Sequence, residues 1–284
     1  MKIVVNYLRE VQELFEEGKI DFIDYFKLYS LNDDLSPLEW CLKNKGLFFH
    51  GIVGKASAFG DRDLVEKTDI EATREILQKS NAPYISGHLC VSRKEQTREE
   101  TLSSIQKNIE DFRTIFGKEV VLENIPYRKY YEHCLYLIQP DVIAQIVYEN
   151  DCNFLFDISH ARKAALFLQM SFEEYVSKLP MDRVVEIHLA GMFTMPDGTQ
   201  MDYHGIMNDE DYRFLEEAVE KYPTLQYITL EYGSYCPKEK LDLLKDWSLP
   251  LANYESVNPI VKEEAYEQLI RIKEILYASK NKRK

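Results

Sequence analysis

The chain is poor in cysteine, in long apolar runs and in positive charge, and each shortage excludes something. Its five cysteines are odd in number, irregularly spaced and free of any Cys-x-x-Cys pair. That argues against a disulfide framework and against a cysteine-rich structural metal site. No stretch approaches the roughly 18 apolar residues that a membrane-spanning helix needs. The opening segment, MKIVVNYLREVQELFEEG, has neither a long apolar run nor a cleavage-like site, so no secretory signal is expected. A cytoplasmic protein is the expectation, without a membrane partner. Lysine and arginine number 35 against 48 acidic residues, a net charge of −13. So acidic a surface repels phosphate backbones unless its positive charge is gathered in one patch, which makes nucleic acid an unexpected partner. The single dense basic cluster, KNKRK at 280–284, reads as a solvated tail.

What is present is globular: 45% hydrophobic and 12% aromatic residues. Eight short β-rich runs are predicted as strands, at 2–7, 25–30, 47–52, 84–90, 119–125, 152–159, 183–191 and 227–233. Most are near-continuous apolar runs, the pattern of strands buried on both faces. Amphipathic segments lie between them. In TREETLSSIQKNIEDFRTIFG, Leu102, Ile105, Ile109, Phe112, Ile115 and Phe116 make one apolar face, Thr97 with Glu100 reads as a capping box, and Gly117 as the stop. Strand and helix alternating in this way predict a single-domain (β/α)8 TIM barrel over 1–284, closed by a helix at about 258–279. A doubly wound open sheet would want a glycine-rich phosphate turn after an early strand, and none is present. The longest irregular stretches, about 53–65 and 192–208, are the expected active-site loops.

The chemistry gathers at strand ends. His50, His88, His160 and His188 fall at or just past the C-terminal ends of predicted strands, and His204 lies in the loop after the seventh. Glu123, Asp157 and Glu231 follow the same rule, and Asp202 precedes His204 in MDYHG. In a (β/α)8 barrel this end carries the active site. Four carboxylates meeting at one mouth repel one another in a low dielectric, and neutral imidazoles cannot offset that, whereas divalent cations can. Nine candidate ligands suit two or three ions. Histidine with carboxylate and no evident thiolate fits iron, manganese or zinc. Cys90 reads as core packing and His133 as a surface residue.

In order, FFHGI, GHLCVS, VVLENIPY, FLFDIS, DRVVEIHLAG, MDYHG and YITLEY resemble the multinuclear non-heme iron-dependent oxidases, TIM-barrel enzymes of the xylose isomerase-like superfamily that modify ribosomally made peptides. The likeness spans about residues 45–235, and VVEIHLAG followed by Asp-x-His is its most specific part. It implies metal-ligand roles for His50, His88, Glu123, Asp157, His188, Asp202, His204 and Glu231. It also implies mixed-valence iron, dioxygen, and oxidation of a cysteine, or sometimes an aspartate or asparagine, of a precursor peptide. Many such enzymes work with a separate peptide-recognition protein. The chain departs from that family at His160, where asparagine is usual, and at Met192, where a histidine often follows HLAG. The full order, with Asp157-x-x-His160, also resembles the TIM-barrel apurinic endonucleases, which bind three zinc ions. A tri-zinc phosphodiesterase, a metal-dependent sugar isomerase or epimerase, and a non-catalytic metal-binding barrel are therefore the alternative readings.

Four further residues carry expectations. Glu186, two before His188 on the same side of its strand, either orients that imidazole or belongs to a satisfied polar layer inside the barrel. Asn124 and Tyr127 are candidates for lining the mouth. Lys55 in GIVGKASAFG is a candidate contact for an anionic substrate group, or a solvated loop lysine.

Overall fold

A computed structural model describes residues 1–28, 36–51, 58–194, 198–233 and 257–282. The eight barrel strands are β1 (Lys2–Asn6), β2 (Tyr25–Leu28), β3 (Leu47–Phe49), β4 (Tyr84–His88), β5 (Glu119–Glu123), β6 (Asn153–Asp157), β7 (Val184–Leu189) and, after a two-stranded hairpin, β10 (Tyr227–Leu230). They pair in parallel in the order β3-β2-β1-β10-β7-β6-β5-β4. Between the ends of that order, β3 and β4, a bridge from Ala58 to His88 and a bond from Asn81 N to Leu47 O narrow the seam, giving a nearly closed barrel.

The helices are α1 (Arg9–Glu16), α2 (Ser36–Asn44), α3 (Leu64–Lys67), α4 (Ile70–Lys79) and α5 (Arg98–Phe116) on the first half. On the second half come α6 (Pro140–Glu149), α7 (Ile158–Leu168), α8 (Phe172–Ser177), α9 (Asp209–Lys221) and α10 (Pro259–Lys282). Helix α5 has the predicted capping box, and Gly117 ends it in a left-handed conformation (φ 63°). Helix α10 packs on α1 and α9 and runs past the expected 279, so Lys280 to Lys282 of the basic tail are helical. Among the described residues, no helix is long and apolar enough to cross a membrane.

The expected loop at 192–208 is largely the hairpin: β8 (Gly191–Thr194) pairs antiparallel with β9 (Gln200–Gly205). Gly191 is required where the hairpin leaves β7, because a Cβ there would lie 1.8 Å from the carbonyl oxygen of Ile206.

Two hydrophobic cores result. The larger fills the space between sheet and helices. The smaller, formed by Val4, Phe48, Tyr84, Val121, Leu155 and Val185 with Tyr25 and Tyr227 against them, plugs the barrel. Strand side chains alternate, so every second residue returns to the interior one step higher. Tyr84, Ser86 and His88 show the climb on β4, as do Tyr227, Thr229 and Glu231 on β10. The interior passes from apolar to polar to metal-type side chains along the barrel axis.

Candidate metal centre

The last inward step of the strands sets the centre. His50 follows β3, His88 ends β4, Glu123 ends β5, Asp157 ends β6, His188 lies near the end of β7 and Glu231 follows β10. Asp202 and His204 come from β9, and His160 from the first turn of α7. Asp157 also caps α7, accepting from His160 N at 2.8 Å. The cap therefore fixes the spacing of FLFDISHARKA: one carboxylate starts the helix and places the histidine beside it.

Glu123 is the hub. Its Oε2 lies 3.1 Å from His50 Nε2 and 3.4 Å from His88 Nε2. Its Oε1 lies 3.4 Å from both His160 Nδ1 and His188 Nδ1. Glu231 reaches His188 Nδ1 at 2.6 Å and His204 Nδ1 at 3.3 Å through separate oxygens. Asp157 Oδ2 lies 3.8 Å from His188 Nδ1, and Asp202 Oδ2 lies 3.3 Å from His160 Nε2. All nine expected residues thus meet at one rim, where His50, His88, Glu123, His160, His204 and Glu231 line a cavity of about 260 Å³. A groove of about 380 Å³ between α8 and α9, lined by Arg162, Phe172 and Arg213 among others, includes none of the nine.

The imidazoles are held by groups behind them, which decides the atom each presents. His50 Nδ1 meets Ser86 Oγ at 2.9 Å, leaving Nε2 toward Glu123. His160 Nδ1 donates to the carbonyl of Asn124 at 2.8 Å, leaving Nε2 toward Asp202. His188 Nε2 lies 2.5 Å from Lys27 Nζ and 3.3 Å from Glu186 Oε1, leaving Nδ1 toward the centre. His204 adopts a left-handed backbone (φ 52°), uncommon outside glycine and a marker of functional constraint.

Burial and mutual charge perturb these groups in opposite directions. Burial pushes His88 down to about 4. For His160 burial works the same way, but Asp157 and Asp202 outweigh it and raise the ring to about 10. His204 rises to about 9, burial being overcome by Glu231 and Asp202. Against burial, the histidines hold Glu123 and Glu231 well below the usual carboxylate range. Burial lifts Asp157. Without cations, then, protonated imidazoles balance the carboxylates.

That balance is incomplete. Glu123 Oε2, Asp157 Oδ2, His188 Nδ1 and Glu231 Oε1 are buried without a well-formed hydrogen bond, although His188 Nδ1 and Glu231 Oε1 stand 2.6 Å apart. Buried polar atoms that lack good hydrogen bonds are costly, and four converging on one centre fit a site built for a cation. Two triads have ligand atoms close enough to share an ion: His50, His88 and Glu123, and Glu123, Asp157 and His188.

The other expected residues fall differently. Glu186 is buried below the centre, accepting from Lys27 Nζ at 2.6 Å, from Tyr84 OH at 2.5 Å and from Thr229 Oγ1. It lies 3.3 Å from His188 Nε2 and belongs to a satisfied polar layer inside the barrel. Asn124 does not line the mouth: it is fully buried and brackets Asp157, donating to its carbonyl at 3.0 Å and accepting from its amide at 2.9 Å. Tyr127 turns away and stacks on Phe167, ring centroids 3.8 Å apart. Lys55 lies outside the described residues. His133 is half-buried, its Nε2 2.8 Å from the carbonyl of Val91. Cys90 is core, as expected, yet also borders the cavity, and burial raises its thiol so that it stays neutral.

Sequence reasoning passed over Lys27, Ser86, Arg128 and Ser159. Lys27 left one signal, a lysine at an inward position of an apolar strand. Arg128 left less, because RK in a loop reads as solvated.

Comparison with known proteins places this geometry. Residues 11–246 match the family described as RiPP precursor modification enzyme MbnB/TglH/ChrH. A UPF0276 protein of Shewanella loihica is 22% identical over 285 residues, covering 94% of each chain. Another, from Acaryochloris marina, is 31% identical over 108 residues, 38% of each. Among solved structures, a xylose isomerase domain containing protein from Salmonella typhimurium superposes with a TM-score of 0.62 at 15% identity, covering 95% of this chain and 97% of that one. The IolI protein, solved with a bound zinc atom, gives 0.60 at 14%, covering 98% of each. These structures share the xylose isomerase-like TIM-barrel fold. With the match running through every barrel strand from β2 to β10, the chain belongs to the MbnB/TglH/ChrH family and is a peptide-modifying enzyme.

Proposed function

We propose that this enzyme is an iron-dependent oxidase that uses dioxygen to modify a cysteine, or an aspartate or asparagine, of a ribosomally made precursor peptide. The observation that supports the metal reading is the set of four atoms on Glu123, Asp157, His188 and Glu231 that converge, buried, without well-formed hydrogen bonds. His50, His88 and Glu123 would hold one ion, and Glu123, Asp157, His188 and Glu231 a second. Iron bound there would supply a Lewis-acidic site for a substrate thiolate and the electrons that dioxygen needs.

The chain's own residues do the rest. Glu123 offers one oxygen to each side, which fixes the distance between the two positions. Lys27, Ser86 and Asn124 lock the imidazoles from behind, so the ligand atoms are aimed before anything binds. The cavity, at about 260 Å³, lies just under the roughly 300–1,000 Å³ of typical ligand sites, a size for one side chain and its flanking backbone rather than a folded partner. Recognition of the remaining peptide then falls to the surface around the mouth or to a separate recognition protein. The net charge of −13 opposes a phosphodiester substrate.

Anaerobic purification followed by metal analysis and Mössbauer spectroscopy tests the proposal. Iron of mixed valence, with dioxygen uptake that depends on a cysteine-containing precursor peptide, is the expected result. Zinc with nicking of abasic DNA would replace it with a hydrolase.

A further inference from the structure

Nine metal-type side chains invite a third ion, held by Asp202, His160 and His204. The hydrogen bonds there say otherwise. The buried atoms of the centre that lack a well-formed hydrogen bond lie on Glu123, Asp157, His188 and Glu231, and none lies on Asp202. Asp202 Oδ1 lies 2.8 Å from the Ser159 hydroxyl, and Oδ2 accepts from Arg128 at 2.7 Å and faces His160 Nε2 at 3.3 Å. His204 turns its Nδ1 to Glu231, not to Asp202.

We infer that Arg128 supplies the third cation of the centre: its guanidinium neutralises Asp202, so that the site takes two metal ions and one fixed organic charge. The inference rests on the metal reading above and deepens it. Arginine suits the role because it keeps its proton under all ordinary conditions and binds carboxylates in a directed way. Pro126, two residues earlier, borders the same cavity and stiffens the loop that carries it. A third divalent ion on Asp202 Oδ2 would share that oxygen with the guanidinium and be repelled by it.

Charge counting agrees. With Asp202 paired to Arg128, three carboxylates remain for two divalent ions, and one positive charge is left over. That surplus would hold an incoming anion such as a thiolate. With a third divalent ion in place of Arg128, the surplus would be larger and would demand a further anion. Ser159 Oγ stands 2.8 Å from Asp202 Oδ1 and 2.8 Å from Asp157 Oδ1, and its single proton, donated to one of them at a time, links the Arg128 corner to the second metal position.

Metal capacity, independent of turnover, tests this. The full chain is stripped, reloaded anaerobically with Fe(II) and separately with Zn(II), desalted and analysed by inductively coupled plasma mass spectrometry against protein concentration. About two ions per wild-type chain are expected, about three for Arg128→Gln, and two again for Arg128→Lys, which restores the charge. Asp202→Asn should leave the wild-type count at two. Circular dichroism confirms that each variant is folded, and the Lys variant provides the comparison if Gln loosens the loop. Three ions on the wild-type chain, or two on Arg128→Gln, would overturn the inference while leaving the metal centre intact. A wild-type chain that takes up none would overturn both.

Discussion

Lys27 and Glu186 form an ion pair of 2.6 Å in the middle of the barrel, with both side chains sealed from solvent. The pair lies between the apolar plug and the metal-type residues, and Lys27 also meets His188 Nε2. It forms a polar floor in contact with the His188 ring above it.

Removing half of that pair should be costly. Lys27→Met leaves Glu186 charged in a sealed interior, with Tyr84, Thr229 and the His188 ring beside it but without its ion-pair partner. Breaking a buried pair in this way typically costs about 3–5 kcal/mol. Urea denaturation of the metal-free chain should show a loss of that order, with much of it recovered in Lys27→Met/Glu186→Gln. A single variant as stable as wild type would mean the floor is not structural.

Glu123 should be the least replaceable ligand. It is the residue common to both triads, so Glu123→Ala is expected to abolish uptake of both ions, whereas His50→Ala should remove one and keep the other. His188→Ala should also remove metal while leaving the barrel folded. Metal analysis beside circular dichroism checks all three. Wild-type metal content in Glu123→Ala and His188→Ala would refute the ligand assignment.

The strands were legible because buried parallel strands are written as apolar runs. The convergence of the candidate ligands was legible because strand ends in a barrel converge. Other features left weaker traces. The β8–β9 hairpin reads as loop because its strands are short and partly exposed, and no alternation survives in GMFT. The sequence position of Asn124 puts it at the rim, and that much holds. Its role differs from the expected one, because only the fold shows that both ends of its amide bind the Asp157 backbone. Lys27 and Arg128 are common surface residues, and nothing local says that their charges are needed inside. Their roles come from pairing across 159 and 74 residues of chain, which local pattern cannot carry.

The hairpin makes a separable prediction. It delivers Asp202 and His204, and its base depends on Gly191, where any Cβ would collide with the backbone at Ile206. Gly191→Ala should therefore displace the hairpin and leave the eight barrel strands in place. Hydrogen exchange should quicken across 191–205 and stay slow in β5 and β6. Unchanged exchange across the hairpin would show that the backbone shifts to accept a side chain there.

Stability of the metal-free chain should depend on pH in a direction fixed by the histidines. An ordinary histidine titrates near 6.5. In the folded chain His204 is raised to about 9 and His160 to about 10, chiefly because nearby carboxylates outweigh burial. A group whose pKa is raised on folding contributes stability that is complete below its unfolded pKa and lost as pH rises through the folded value. The window therefore runs from about pH 6.5 up to about 10. His160, almost fully buried, contributes up to about 1.4 kcal/mol per pH unit within it. His88 acts in the other direction, since burial lowers it to about 4, but its window lies below pH 6.5 and does not overlap. Cations on Glu123, Asp157 and Glu231 would take over the balancing that protons perform. Melting temperatures of the stripped chain should fall steadily from pH 7 to pH 10, and the metal-loaded chain should stay nearly level over the same range. Parallel decline in both forms would mean that protons, and not metal ions, neutralise these carboxylates in the working enzyme.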